Sequence, residues 1–134
     1  MEPIENYPDE GELFKADTYG QKKSDHLIFF VHFYKGHKKA LKRHVEFVNQ
    51  LGYEAYVFNL QDSAKEHQYL PYSYISEKFG MKHALADQIE AHLDLLSTYK
   101  TKIVFAFSNV AGAAIEALAR RKTTDVVALI CDSG

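Results

Sequence analysis

Leu27-Ile28-Phe29-Phe30-Val31-His32-Phe33 (LIFFVHF, residues 27–33) is a continuous run of apolar, aromatic and β-branched side chains broken only by one histidine near its end. The polar–apolar alternation of a half-exposed strand is missing, so the run reads as a strand buried on both faces. Three further stretches read as strands: Glu54 to Leu60 (EAYVFNL), Lys102 to Phe107 (KIVFAF) and Asp125 to Cys131 (DVVALIC). Between them the spacing turns helical. In Lys38 to Leu51, the residues Leu41, Val45, Val48 and Leu51 share one stripe, and Gly52 follows where a left-handed terminating residue is wanted. Lys82 to Ser97 aligns Leu85, Ile89, Leu93 and Leu96, and Asn109 to Arg121 is an alanine-rich helix with Ile115 and Leu118 on its buried side. Apolar strands alternating with helices predict an α/β fold, a three-layer sandwich around a mostly parallel sheet with right-handed crossovers.

The chain of 134 residues has room for one domain at roughly 100–200 residues each. Its leading segment, 1–25, contains Pro3 and Pro8, one exposed strand over Glu12 to Tyr19 and a turn from Gly20 to Asp25. The βαβαβαβ core occupies 26–134. Gln61 to Gly80 is a longer connection whose tyrosines, Tyr69, Tyr72 and Tyr74, either line a substrate entrance or pack the loop itself. At the far end, the apolar strand 125–131 runs into Asp132-Ser133-Gly134 with no helix to cover it. A strand apolar from Val126 to Ile130 with an open edge invites pairing. The chain therefore reads as truncated, and a C-terminal segment or another chain is expected along 125–131.

Composition narrows the function classes. Hydrophobic residues at 46% and charged residues at 25% match an ordinary soluble domain. Lys and Arg number 16 against 18 Asp and Glu, for a net charge of -2, and this balance argues against a nucleic-acid partner. The single cysteine, Cys131, rules out a disulfide framework and is expected to act as a small hydrophobe in its strand. The seven histidines (26, 32, 37, 44, 67, 83 and 92) contain no His-Glu-x-x-His spacing, so no metal site is expected. His32 reads as a strand-end residue bonded to backbone. No glycine-rich phosphate loop is present, and no cofactor is expected. Neither a membrane span of ~18–20 apolar residues nor a basic-then-apolar leader occurs, which points to a cytoplasmic protein. The basic cluster Lys35 to Arg43 reads as the solvated face of the first helix.

Chemistry concentrates in Phe105 to Ala114 (FAFSNVAGAA), where a strand meets Ser108 and a helix of small residues begins at once. Such a turn forces the serine into a strained backbone conformation and lifts its hydroxyl above the sheet, provided the residues two positions either side are small. Ala106 satisfies that need; Val110 meets it poorly, and the full G-x-S-x-G pattern is absent. The plainer reading is that Ser108 caps the following helix. The second stretch is Val31 to His37 (VHFYKGH), at the end of the first central strand.

An apolar strand ending in His, a loop, a helix, a strand, a longer connection and helix, and then a strand–Ser–helix turn together resemble the N-terminal half of the α/β-hydrolase superfamily, over residues 27 to 134. The resemblance implies Ser108 as nucleophile of a serine hydrolase acting on an ester, thioester or related acyl bond of a small-molecule substrate. It also implies the backbone N–H groups of Asn109 and of Tyr34 or Phe33 as oxyanion donors, although Phe33 stands where the family has glycine. The family's base and acid follow the nucleophile, and no histidine lies after Ser108, so both are expected beyond residue 134 and these residues alone are expected to be inactive. Asp132 holds the acid position of a minority of relatives. The competing reading is a non-catalytic flavodoxin-like or truncated hydrolase-like domain used for binding or assembly, and Val110 and the missing histidine speak for it.

Overall fold

The computed structural model describes residues 11–16, 22–60, 81–122 and 124–132, with backbone alone at 81–83. A strand or helix stands at each expected place: β1 (Glu12–Phe14), β2 (Leu27–Val31), a 3-10 turn (Lys38–Leu41) leading into α1 (Lys42–Gln50), β3 (Glu54–Val57), α2 (Met81–Leu95), β4 (Lys102–Phe107), α3 (Val110–Arg120) and β5 (Val126–Asp132). β1 departs most from expectation: it ends at Phe14 instead of running on through Lys15, and its Leu13 is 1% exposed, so it is not an exposed strand. β3 ends at Val57 rather than Leu60. The connection 61–80, with Tyr69, Tyr72 and Tyr74, lies outside the described residues, as do residues 1–10 of the leading segment.

The five strands form one mixed sheet in the order β1-β3-β2-β4-β5, with β1 antiparallel to β3 and every other neighbour parallel. The fold is of α/β type. β2 lies at the centre, all five of its residues buried, as its unbroken apolar run required. Its side chains divide by parity. Leu27, Phe29 and Val31 join Tyr56, Phe58, Val104 and Ala106 in a core shared with α2 and α3. Ile28 and Phe30 join Ala55, Val57 and Phe107 in a second core shared with Leu41 and Val45 of the first helical segment. Each side chain of this size is worth roughly 1.5–3 kcal/mol when fully buried, so β2 anchors both cores at once.

Ion pairs fasten the helices to one another and to the sheet. Arg120 on α3 pairs with Asp87 and Glu90 on α2, and Arg121 with Asp94 and Asp125. At the N-terminal end of β4, Lys102 is 1% exposed, its ammonium 2.8 Å from Asp125 Oδ2 and 3.0 Å from the Tyr99 carbonyl. Burial would make that charge costly, and Asp125, shared between Lys102 and Arg121, compensates it.

Three further expectations need correction. Ile115, expected on the buried side of its helix, is 54% exposed, because α3 packs into the core through Val110, Ala111, Ala113, Ala114 and Ala117 instead. β5 is the edge strand, and Val127, Ala128, Ile130, Cys131 and Asp132 are exposed, because among the described residues nothing pairs with or covers its outer side. Cys131 is therefore exposed rather than part of a buried strand. The basic cluster is not uniformly solvated either. Lys38 is buried, its ammonium bonded to Glu12 of β1, because the 3-10 turn brings it down beside that edge strand.

Candidate functional site

Parallel pairing of β2 with β4 sets Phe30 beside Phe105 and Val31 beside Ala106, so the residues that follow both strands emerge at one edge of the sheet. β2 leads leftward in the sheet to β3, and β4 leads rightward to β5, which makes a switch point between them. Ligands of open α/β sheets bind in the crevice outside the strand ends at such a point. Ser108 follows β4 there, and Phe33 and Tyr34 follow β2.

Ser108 has φ +56°, and Lys35 has φ +62°. Among the described residues these are the two non-glycine residues with positive φ, and both lie just past the ends of adjacent central strands. A left-handed L-residue costs about 1–2 kcal/mol, and such strain tends to gather at functional sites. At Ser108 the surroundings impose it. Its N–H donates to the Asp132 carbonyl at the end of β5 (2.7 Å), while its own carbonyl accepts the Ala111 N–H (3.1 Å). The chain must satisfy a strand bond behind and a helix bond ahead within one residue. The serine is half-buried, and among the described residues its hydroxyl has no hydrogen-bond partner. It therefore does not cap α3; Asn109 holds the cap position, without a side-chain bond. Ala106 and Val110 are both buried, 0% and 1% exposed. Val110 packs into the core with Ala111 and Ala114, so its bulk is absorbed below the turn.

On the other side, a tight turn carries Phe33 to Gly36, closed by Gly36 N–H donating to the Phe33 carbonyl (2.8 Å). Positive φ at the third residue of such a turn is ordinarily supplied by glycine; here Lys35 supplies it, with its ammonium 5.7 Å from the Tyr34 ring centre. Gly36 is required for another reason: a Cβ there would lie 2.8 Å from the Phe33 oxygen.

His32 braces this turn. It is 1% exposed, and its Nε2 accepts the Leu60 N–H (3.0 Å). That leaves Nδ1 as the protonated nitrogen, donating to the Phe33 carbonyl (2.7 Å). Two donors thus fix the Phe33 oxygen, and because the peptide is trans the Tyr34 N–H points the opposite way. His32 bonds to backbone, as the sequence suggested, with both ring nitrogens engaged there.

The other described histidines are placed for structural work. His92 Nδ1 bonds the Tyr56 hydroxyl (2.6 Å), His26 Nδ1 bonds the Thr101 hydroxyl (2.7 Å), and His37 Nδ1 accepts the Lys39 N–H (3.1 Å). His44 packs among Phe30, Phe105 and Phe107. His67 and the side chain of His83 lie outside the described residues. Asp132 ends β5 directly across from Phe107, next to Ser108. Among the described residues, no group of three or more His, Cys, Asp or Glu is arranged to hold a metal ion, and no helix is long and apolar enough to cross a membrane. Neither a family model nor a curated protein sequence matches the chain.

Proposed function

We propose that this chain is part of a serine hydrolase of α/β-hydrolase type, a three-layer sandwich acting on an ester, thioester or related acyl bond. The observation that carries the reading is the left-handed φ of +56° at Ser108, between a buried strand and a helix N-terminus. In this reading the Ser108 hydroxyl attacks the acyl carbon. The developing oxyanion takes hydrogen bonds from the Asn109 N–H, at the positive end of α3, and from the Tyr34 or Phe33 N–H. Phe33 is 45% exposed, and its ring would border the acyl group. A base and an acid are still required; in this reading neither is supplied by the described histidines, and no cofactor takes part.

The test is labelling by a fluorophosphonate, comparing wild type with Ser108→Ala. Covalent modification at Ser108 in the protein that carries this segment supports the reading. Absence of labelling, with the fold intact by circular dichroism, overturns it. The engagement of both His32 nitrogens with backbone favours the competing reading, a binding or assembly domain that keeps the turn without the chemistry.

A further inference from the structure

Away from the Ser108 crevice, beneath the 3-10 turn, a cavity of about 330 Å³ opens between β1, β3 and α1. Among the described residues it is lined by Phe14, Val45 and Val57, and by Glu12, Lys38, Lys39 and Lys42. Its size falls at the small end of ligand pockets, which run ~300–1,000 Å³. The two kinds of lining define its chemistry. Val45 and Val57 are 2% and 3% exposed and give it an apolar floor. Lys38 is nine-tenths buried and bonded to Glu12, so that pair forms a neutral wall. Lys39 and Lys42 are exposed and take no ion-pair partner among the described residues. Three lysines against one glutamate leave two positive charges at the rim of an apolar recess.

We infer that this cavity is a binding site for a small amphiphile with one anionic head group and a short apolar tail. A bare inorganic anion gains nothing from Phe14, Val45 and Val57, and a cation is repelled by Lys39 and Lys42. A neutral apolar molecule leaves the two ammonium groups unused. A short-chain acid or phosphate ester uses both halves: the tail displaces water from the valine floor, and the head lies between the two lysines. The alternative is that the lysine stems merely cover apolar surface with their ammonium groups in water. That arrangement predicts no saturable site.

The inference does not depend on Ser108, and the experiment keeps the two apart. Octanoate and octyl phosphate are titrated into the chain below their micelle concentrations, by calorimetry and by thermal shift, beside octanol, octylamine and inorganic phosphate. Saturable one-to-one binding of both anionic amphiphiles is expected, with octanol at least tenfold weaker and octylamine and phosphate silent. Lys39→Glu with Lys42→Glu should weaken octanoate about tenfold or more, and Lys39→Gln with Lys42→Gln should do so less strongly, since both positions are exposed and the fold is kept. Ser108→Ala should bind octanoate as wild type does. Equal binding of octanol and octanoate, or octanoate binding indifferent to both double variants, would overturn the inference.

Discussion

Ser108→Gly isolates the energy stored at the turn. At φ +56° the serine Cβ crowds the neighbouring carbonyl, at a cost of about 1–2 kcal/mol that glycine does not incur. Glycine adds about 0.5–1 kcal/mol of unfolded-chain entropy in the other direction. The hydroxyl has no partner among the described residues, so its removal changes little. The expected balance is a gain of about 0.5–1 kcal/mol, or roughly 2–4 °C in melting temperature for a domain of this size. Ser108→Ala keeps the Cβ and should melt within about 1 °C of wild type. Thermal melts of the three proteins, with urea titrations to check that the slope is unchanged, make the comparison. A glycine variant melting at or below the alanine variant would refute the claim that strain is held at this residue. Lys35→Gly is the matched control. Its φ of +62° promises a similar gain, reduced by the lost contact of its ammonium with the Tyr34 ring.

Asp125→Ala should cost about 3 kcal/mol in a urea titration, because it leaves the buried Lys102 ammonium without its carboxylate; adding Lys102→Met should restore part of that loss. Tyr56→Phe removes the hydroxyl from a 2.6 Å bond to His92 Nδ1 between two fully buried rings, and should cost about 1–3 kcal/mol by the same measure. Burial pushes the Glu90 carboxyl above the ordinary glutamate value, against the pull of Arg120 and Arg121. The fold therefore binds that proton more tightly than the unfolded chain does. Its contribution is fully present below the unfolded pKa and is lost as pH rises through the folded one. Stability measured against pH should show Glu90→Gln level with wild type at the acid end and gaining on it as pH climbs past the ordinary glutamate range.

Much of the layout was written locally. The run 27–33 carries no alternation, and β2 is buried on both faces; 102–107 and the extent of the helix after it lie where spacing placed them, but the helix buries its alanines and leaves Ile115 exposed. That β4 pairs with β2 rather than with β3 is set by no local pattern. The turn at Ser108 was legible because a strand and a helix abut there with no residues to spare. What escaped reading depends on partners distant in sequence. Nothing in Lys35 to Arg43 distinguishes Lys38 from its basic neighbours; its burial needs Glu12, 26 residues earlier, on a strand that pairs antiparallel with β3. His32 could be read as bonded to backbone, but its link to Leu60, 28 residues on, could not. Cys131 looked interior because its strand is apolar, and composition alone does not say whether a strand has a neighbour on each side.

The bond from Ser108 N–H to the Asp132 carbonyl has a dynamic consequence. An edge strand held on one side opens more easily than a central one, so the strained serine is latched by one of the least protected parts of the sheet. Each time the end of β5 frays, the amide is released and the residue is free to relax to an ordinary φ, dismantling the geometry at the crevice while β2 and β4 stay paired. Amide exchange at Ser108 should therefore track the opening of β5 rather than global unfolding. Anything that clamps β5 along its outer edge would tighten the serine turn without touching it.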